Sequence, residues 1–203
     1  MNKLVVFTTI FVLVLVLALP GLLALPIKII PYNDQPGYST DYKRGVFGNS
    51  AVWQKFTSQE DNLAGIGLSI GNPNLKNKKD VILSLYEVNS VSSDPGSELM
   101  VGKSVLNGLN ISDGAYVKFL FDPISPSKGK NYIFSLESPE AGDLEVINIF
   151  FTKTIPNWIG ELTVGDDLID GSLPMVTLHK SQSKFGMIRG IYVSFLRRLV
   201  GIN

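Results

Sequence analysis

Few side chains in this 203-residue chain are of a kind that does covalent chemistry. There is one histidine, His179, and no cysteine. A hydrolytic triad or a histidine metal cluster needs partners at defined spacing, and the sequence offers His179 none. His179 therefore reads as a structural residue at a strand end. The lack of cysteine excludes disulfides, thiolate metal sites and a thiol nucleophile. Acids are plentiful, at 18, so some facing pair arises by chance. A glycoside hydrolase needs two carboxylates opposed at a fixed separation, and nothing in the sequence singles such a pair out. Asp166, Asp167 and Asp170 crowd one turn, and Glu60, Asp61 and Asn62 another. Oxygen-rich loops hold Ca²⁺ through about six to eight ligands. Neither turn has EF-hand spacing, and Asp and Asn are default turn residues. The expectation is a non-catalytic chain with no cofactor and no metal, Asp166, Asp167 and Asp170 being the only weak Ca²⁺ candidates.

The aromatic residues offer a different chemistry. Trp53, Trp158, Tyr42 and Tyr116 are candidates for a surface on which sugar rings stack, because flat aromatic faces bury much area at low entropic cost. Trp158 is the sharpest of them, since it follows Pro156 in a loop. The rival reading is a tryptophan that caps the core. Asn110-Ile111-Ser112 matches the N-glycosylation acceptor pattern, which matters only in an organism that glycosylates exported proteins.

The elements that position these residues read as strands. In Tyr132–Glu137, Tyr132, Phe134 and Leu136 share one face and Ile133, Ser135 and Glu137 the other, the period of a half-buried strand. Tyr116–Phe121 precedes it across a joint with Asp122-Pro123, Ser125-Pro126 and Lys128-Gly129, so the stretch predicts a long antiparallel hairpin. Further strands are expected at Ala51–Thr57, Leu63–Ile70, Val81–Val88, Leu99–Leu106 (an edge), Glu145–Thr152, Glu161–Val164 and Leu173–His179. In Leu63–Ile70 the glycines Gly65 and Gly67 share a face, which weakens a strand unless something lies close against them. Many short strands separated by turns and no helical period predict an all-β, antiparallel sandwich or jelly roll over residues 51–180.

The ends have another character. Residues 4–25 carry no charge and suffice in length for a membrane-spanning helix. Lys3 supplies a positive flank, so the N-terminus is expected inside and the remainder exported. A cleaved signal peptide is the alternative, with Pro20-Gly21 in its favour and the lack of an Ala-x-Ala site against it. Residues 1–25 are thus an anchor or signal peptide, and 26–50, rich in Pro, Gly and Tyr, a tether and lead-in loop. Residues 181–203 form a basic amphipathic tail helix, with Arg189, Arg197, Arg198 and Phe195 as membrane-interface candidates. Its rival roles are docking on a partner or covering a sheet of its own domain. The formal net charge is zero, yet residues 34–170 hold 11 Lys/Arg against 18 Asp/Glu, a net of −7, and the basic residues at the two ends cancel it. An acidic body argues against nucleic acid as a partner, and basic ends suit an anionic membrane surface.

Residues 54–63 (QKFTSQEDNL), 66–70 (IGLSI), 81–87 (VILSLYE), 113–139 (DGAYVKFLFDPISPSKGKNYIFSLESP) and 161–178 (ELTVGDDLIDGSLPMVTL) resemble a β-sandwich module of bacterial envelope proteins that often accompanies membrane-embedded glycan-handling enzymes. The resemblance implies a galactose-binding-like or carbohydrate-binding-module-like jelly roll, without catalytic residues. It departs from that pattern in lacking an attached multi-spanning enzyme. Together these readings predict a single-pass cell-membrane protein with its sandwich on the extracytoplasmic side, binding envelope glycan or a glycan-processing partner. The alternative is a structural or accessory subunit of a membrane complex that binds no sugar. A hydrolase with unidentified acids comes third.

Overall fold

The computed structural model describes residues 3–24, 29–31, 42–88, 99–152, 159–181 and 183–199. The chain divides into two compact units, Pro31–Lys180 and a second one made of 1–30 with 181–203.

The larger unit is a two-sheet antiparallel β-sandwich. Its strands are β2 (Lys43–Val46), β3 (Val52–Thr57), β4 (Leu63–Gly71), β5 (Asp80–Glu87), β6 (Leu99–Asn107), β7 (Ala115–Ile124), β8 (Asn131–Glu137), β9 (Ile147–Phe150), β10 (Ile159–Val164), β11 (Asp167–Ile169) and β12 (Met175–Lys180). A three-residue strand β1 (Ile29–Pro31) straddles the two units. In the first sheet β12, β4, β9 and β2 follow one another, and β7 pairs with the other edge of β4. The second sheet has the order β11-β10-β3-β8-β5-β6. Between them lie alternate residues of the central strands: Ile66, Leu68 and Ile70 of β4, Leu83 and Leu85 of β5, Phe119 of β7, and Tyr132, Phe134 and Leu136 of β8 are all buried. Phe56 stacks on Tyr132 at 5.7 Å between ring centroids.

Strand period thus translates into the layers as expected, and β6 is an edge strand of the second sheet. One expectation is overturned. Tyr116–Phe121 and Tyr132–Glu137 do not pair as a hairpin: β7 joins β4 in the first sheet, and β8 lies between β3 and β5 in the second. The Pro- and Ser-rich joint carries the chain from one layer to the other. Within 26–50, read as a tether, Lys43–Val46 is a strand paired with β9, because Val46 fills the core.

Two buried polar groups hold irregular points. β10 bulges between Ile159 and Leu162. Gln54, fully buried on β3, donates through Nε2 to Gly160 O (2.6 Å) and Glu161 O (3.1 Å), while its Oε1 accepts from Leu173 N (3.2 Å). Bulge carbonyls freed from the ladder are thereby satisfied. At one end of the sandwich Asn72 and Asn77, both fully buried, tie three loops together.

The smaller unit contains α1 (Lys3–Ala24) and α2 (Lys184–Leu199). Tyr192 of α2 lies against Gly21 of α1, so close that a Cβ at 21 would stand 2.9 Å from its Oη. Among the described residues no helix is long and apolar enough to cross a membrane.

Candidate binding face

The two outer faces of the sandwich are furnished differently. On the first sheet, Gly65 and Gly67 of β4 and Val176 and Leu178 of β12 point outward, and all are buried. Gly67 lies under the ring of Tyr116, and Gly65 against Leu120 and Leu178, so the glycines admit close neighbours.

On the second sheet the outer face is open. Ladder register sets one row across it: Leu168 of β11, Thr163 of β10, Trp53 of β3, Ser135 of β8, Ser84 of β5 and Lys103 of β6. The next row runs Lys55, Ile133, Tyr86 and Met100. Trp53 and Tyr86 are two strands apart, roughly 10 Å at the usual spacing between neighbours. Their rings nevertheless approach to 5.8 Å between centroids, tilted by 34°. Serine at 135 and 84 makes this possible: both are small and buried, and leave room for rings to lean in above them. Trp53 and Tyr86 both remain partly exposed.

The fringe of this pair is polar. Lys55 Nζ meets Glu161 Oε2 at 2.7 Å, and the ammonium holds the Glu161 carboxyl below its ordinary range. Both groups are solvated, so the pair orders the rim more than it stabilises the fold. An aromatic pair with a charged and hydroxyl-bearing border is suited to non-covalent recognition of a flat, partly apolar ring.

The other candidates lie elsewhere. Tyr116 is 46% exposed on the first sheet, and burial of its remaining surface pushes its phenol up to about 12. Tyr42 packs on Phe151 at 5.5 Å, next to the β2–β9 edge. Trp53, Tyr116 and Tyr42 thus do not share one surface, and Trp158 lies outside the described residues. Tyr86 was not singled out by sequence, although Leu83 and Leu85 facing inward already aim it outward; the register that sets it beside Trp53 has no local signal. Asp166, Asp167 and Asp170 are exposed around the β10–β11 turn. Among the described residues no group of three or more His, Cys, Asp or Glu side chains is placed to hold a metal ion.

His179 is buried. Its Nδ1 lies 3.0 Å from Asp61 O and its Nε2 2.9 Å from Thr177 Oγ1. A carbonyl only accepts, so Nδ1 carries the proton and Nε2 accepts from the threonine hydroxyl. Burial pushes its pKa down. Asp61 in turn accepts from Ser127 N and Lys128 N, both at 3.0 Å, and these bonds hold its carboxyl below the usual range. This end of the sandwich uses its titratable groups as fasteners. In α2, Arg189 is exposed, and of Phe195, Arg197 and Arg198 only the backbone is described.

No family model and no curated protein matches the chain. Solved structures do. A clostridial cysteine protease, Cwp84, after propeptide cleavage, matches with a TM-score of 0.50 at 11% identity, over 76% of this chain and 41% of its own. A crystal structure of the cysteine protease and lectin-like domains of Cwp84, a surface layer associated protein of Clostridium difficile, gives 0.46 at 12% identity, over 75% and 37%. This chain therefore spans about two fifths of the length of those it matches. At such identity the likeness is one of fold, the two-sheet sandwich itself.

Proposed function

We propose that this chain is an exported, membrane-anchored β-sandwich that binds envelope glycan, or a protein that processes it, without transforming it. The observation that carries this is the Trp53–Tyr86 pair on the outer face of the second sheet. The resemblance of 54–63, 81–87 and 113–139 to envelope β-sandwich modules points the same way. Supporting the non-catalytic reading, both ring nitrogens of His179 are engaged in holding strand ends. Supporting the anchor, the sequence of residues 4–25 is free of charge and almost wholly apolar. Phe7, Ile10, Phe11, Leu13 and Leu15 of α1 are exposed, and a helix apolar on all sides needs lipid or protein around it.

The test is binding of the full-length, detergent-solubilised protein to envelope polysaccharide, with Trp53→Ala and Tyr86→Ala alongside. Loss of one ring removes about 1–2 kcal/mol of stacking and burial, so each variant should bind about tenfold more weakly. Absence of wild-type binding would defeat the glycan reading and leave the protein partner, and undiminished binding by both variants would defeat the assignment of the Trp53–Tyr86 face.

A further inference from the structure

We propose that the end of the sandwich beyond β4 is a face on which two copies of this chain meet. Three loops form it, and hydrogen bonds bind them into one body. Asn72 Nδ2 donates to Gly108 O (2.8 Å) in the β6–β7 loop. Asn77 Nδ2 donates to Glu145 O (2.8 Å) in the β8–β9 loop. Asn107 Nδ2 donates back to Lys78 O (3.0 Å). Each of the three loops then presents a leucine to solvent: Leu75 at 45%, Leu109 at 51% and Leu144 at 77% exposure. Leu75 and its neighbour Asn74 are held at φ +51° and +55°, a left-handed backbone that leucine rarely adopts. The strained turn displays an apolar side chain that burial would suit better.

The charges around the leucines identify the occupant. Lys76, Lys78 and Lys79 stand on the β4–β5 loop, and Glu140, Asp143 and Glu145 on the β8–β9 loop. Among the described residues the ion pairs are Lys55–Glu161, Lys128–Glu60 and Lys130–Glu87, and none of them involves these six side chains; the Glu145 carboxylate accepts only a backbone bond, from Gly142 N at 3.1 Å. A two-fold axis through the leucines would set the basic loop of each copy against the acidic loop of the other. A self-complementary patch of this kind is what an isologous dimer requires. Apolar residues would form its centre and charges its rim. This face is separate from the Trp53–Tyr86 face and does not depend on what binds there.

The experiment uses the full chain in membranes, where the lack of native cysteine leaves a clean background. Lys78→Cys and Asp143→Cys chains are co-expressed and oxidised, with Lys128→Cys at the far end as control. A disulfide-linked dimer of the first two is expected, and none through the control. The pair Lys76→Glu with Lys78→Glu should abolish wild-type chemical cross-linking, as should Glu140→Lys with Asp143→Lys. Co-expression of the two swapped chains should restore it. Leu109→Ser with Leu144→Ser should lose cross-linking while the unfolding midpoint holds. Failure of the swapped chains to recover, equal yield through the control, or cross-linking only to a different protein would overturn the proposal.

Discussion

Asn77→Ala is the sharpest test of how the fold holds its loops. The side chain is fully buried and makes three bonds: Nδ2 donates to Ser138 Oγ (3.1 Å) and Glu145 O (2.8 Å), and Oδ1 accepts from Lys79 N (2.8 Å). Ser138 keeps a second bond, to Asp80 O, so truncation orphans the Glu145 carbonyl and the Lys79 N–H. At about 1–3 kcal/mol for each of these two part-buried orphans, the loss comes to roughly 2–6 kcal/mol. That is a large share of the ~5–15 kcal/mol by which domains are stable. With a urea slope of about 2 kcal/mol/M, the unfolding midpoint of the full-length protein should fall by about 2 M. Asn77→Asp keeps the acceptor for Lys79 but replaces both donors with lone pairs, and should be at least as harmful. Lys78→Ala, next door and exposed, should shift stability by less than about 0.5 kcal/mol. If Asn77→Ala behaved like Lys78→Ala, or Asp were milder than Ala, the network would not be what fastens this end.

Two further outcomes are expected. Tyr132 is wholly buried, its hydroxyl has no hydrogen-bond partner among the described residues, and burial pushes the phenol up to about 12; Tyr132→Phe should therefore leave stability unchanged or raise it by about 1 kcal/mol in urea unfolding. Acid should weaken the fold in two steps. The His179 pKa is depressed below 6.5, so the unfolded chain takes up the proton first, and stability that is full at neutral pH should begin to fall as the pH drops through 6.5. The Asp61 pKa is depressed below 3.8, so its contribution is full above that value and is lost as the pH falls through the lower folded-state value. His179→Gln should erase the first step, and a midpoint flat between pH 7 and 5 in the wild type would refute this account.

How much of this was legible in the sequence depends on the range of the interaction. Alternation in Tyr132–Glu137 and Val81–Glu87 is local, so strands and their inward faces could be read directly. Sheet membership was not: β7 and β8 carry the same inward pattern, and two layers facing one core make identical demands on their residues. Adjacent runs therefore looked like a hairpin although the chain crosses between layers. Val46 and the strand around it were hidden for a related reason, since four residues with Lys43, Arg44 and Gly45 show no period at all. The Asn72–Asn77 network joins positions up to 68 apart in sequence and left no trace beyond two asparagines in a lysine-rich loop.

The candidate face illustrates the same limit and shows what resolves it. By sequence, Trp53, Tyr116 and Tyr42 were alike candidates for a stacking surface, with nothing local to rank them. The fold separates them by what lies underneath. Tyr116 closes over Gly67, and a ring with a glycine beneath it is part of the packing of its own sheet. Trp53 leans toward Tyr86 over Ser135, and a ring pair resting on a serine row leaves its outer surfaces to solvent. Exposure does not separate them, since Tyr116 is 46% exposed and Trp53 only partly so; what sets Trp53 apart is a second ring, Tyr86, at 5.8 Å. A flat ligand ring gains more from two neighbouring aromatic faces than from one, and that pairing, set by sheet register, makes the second sheet the stronger candidate.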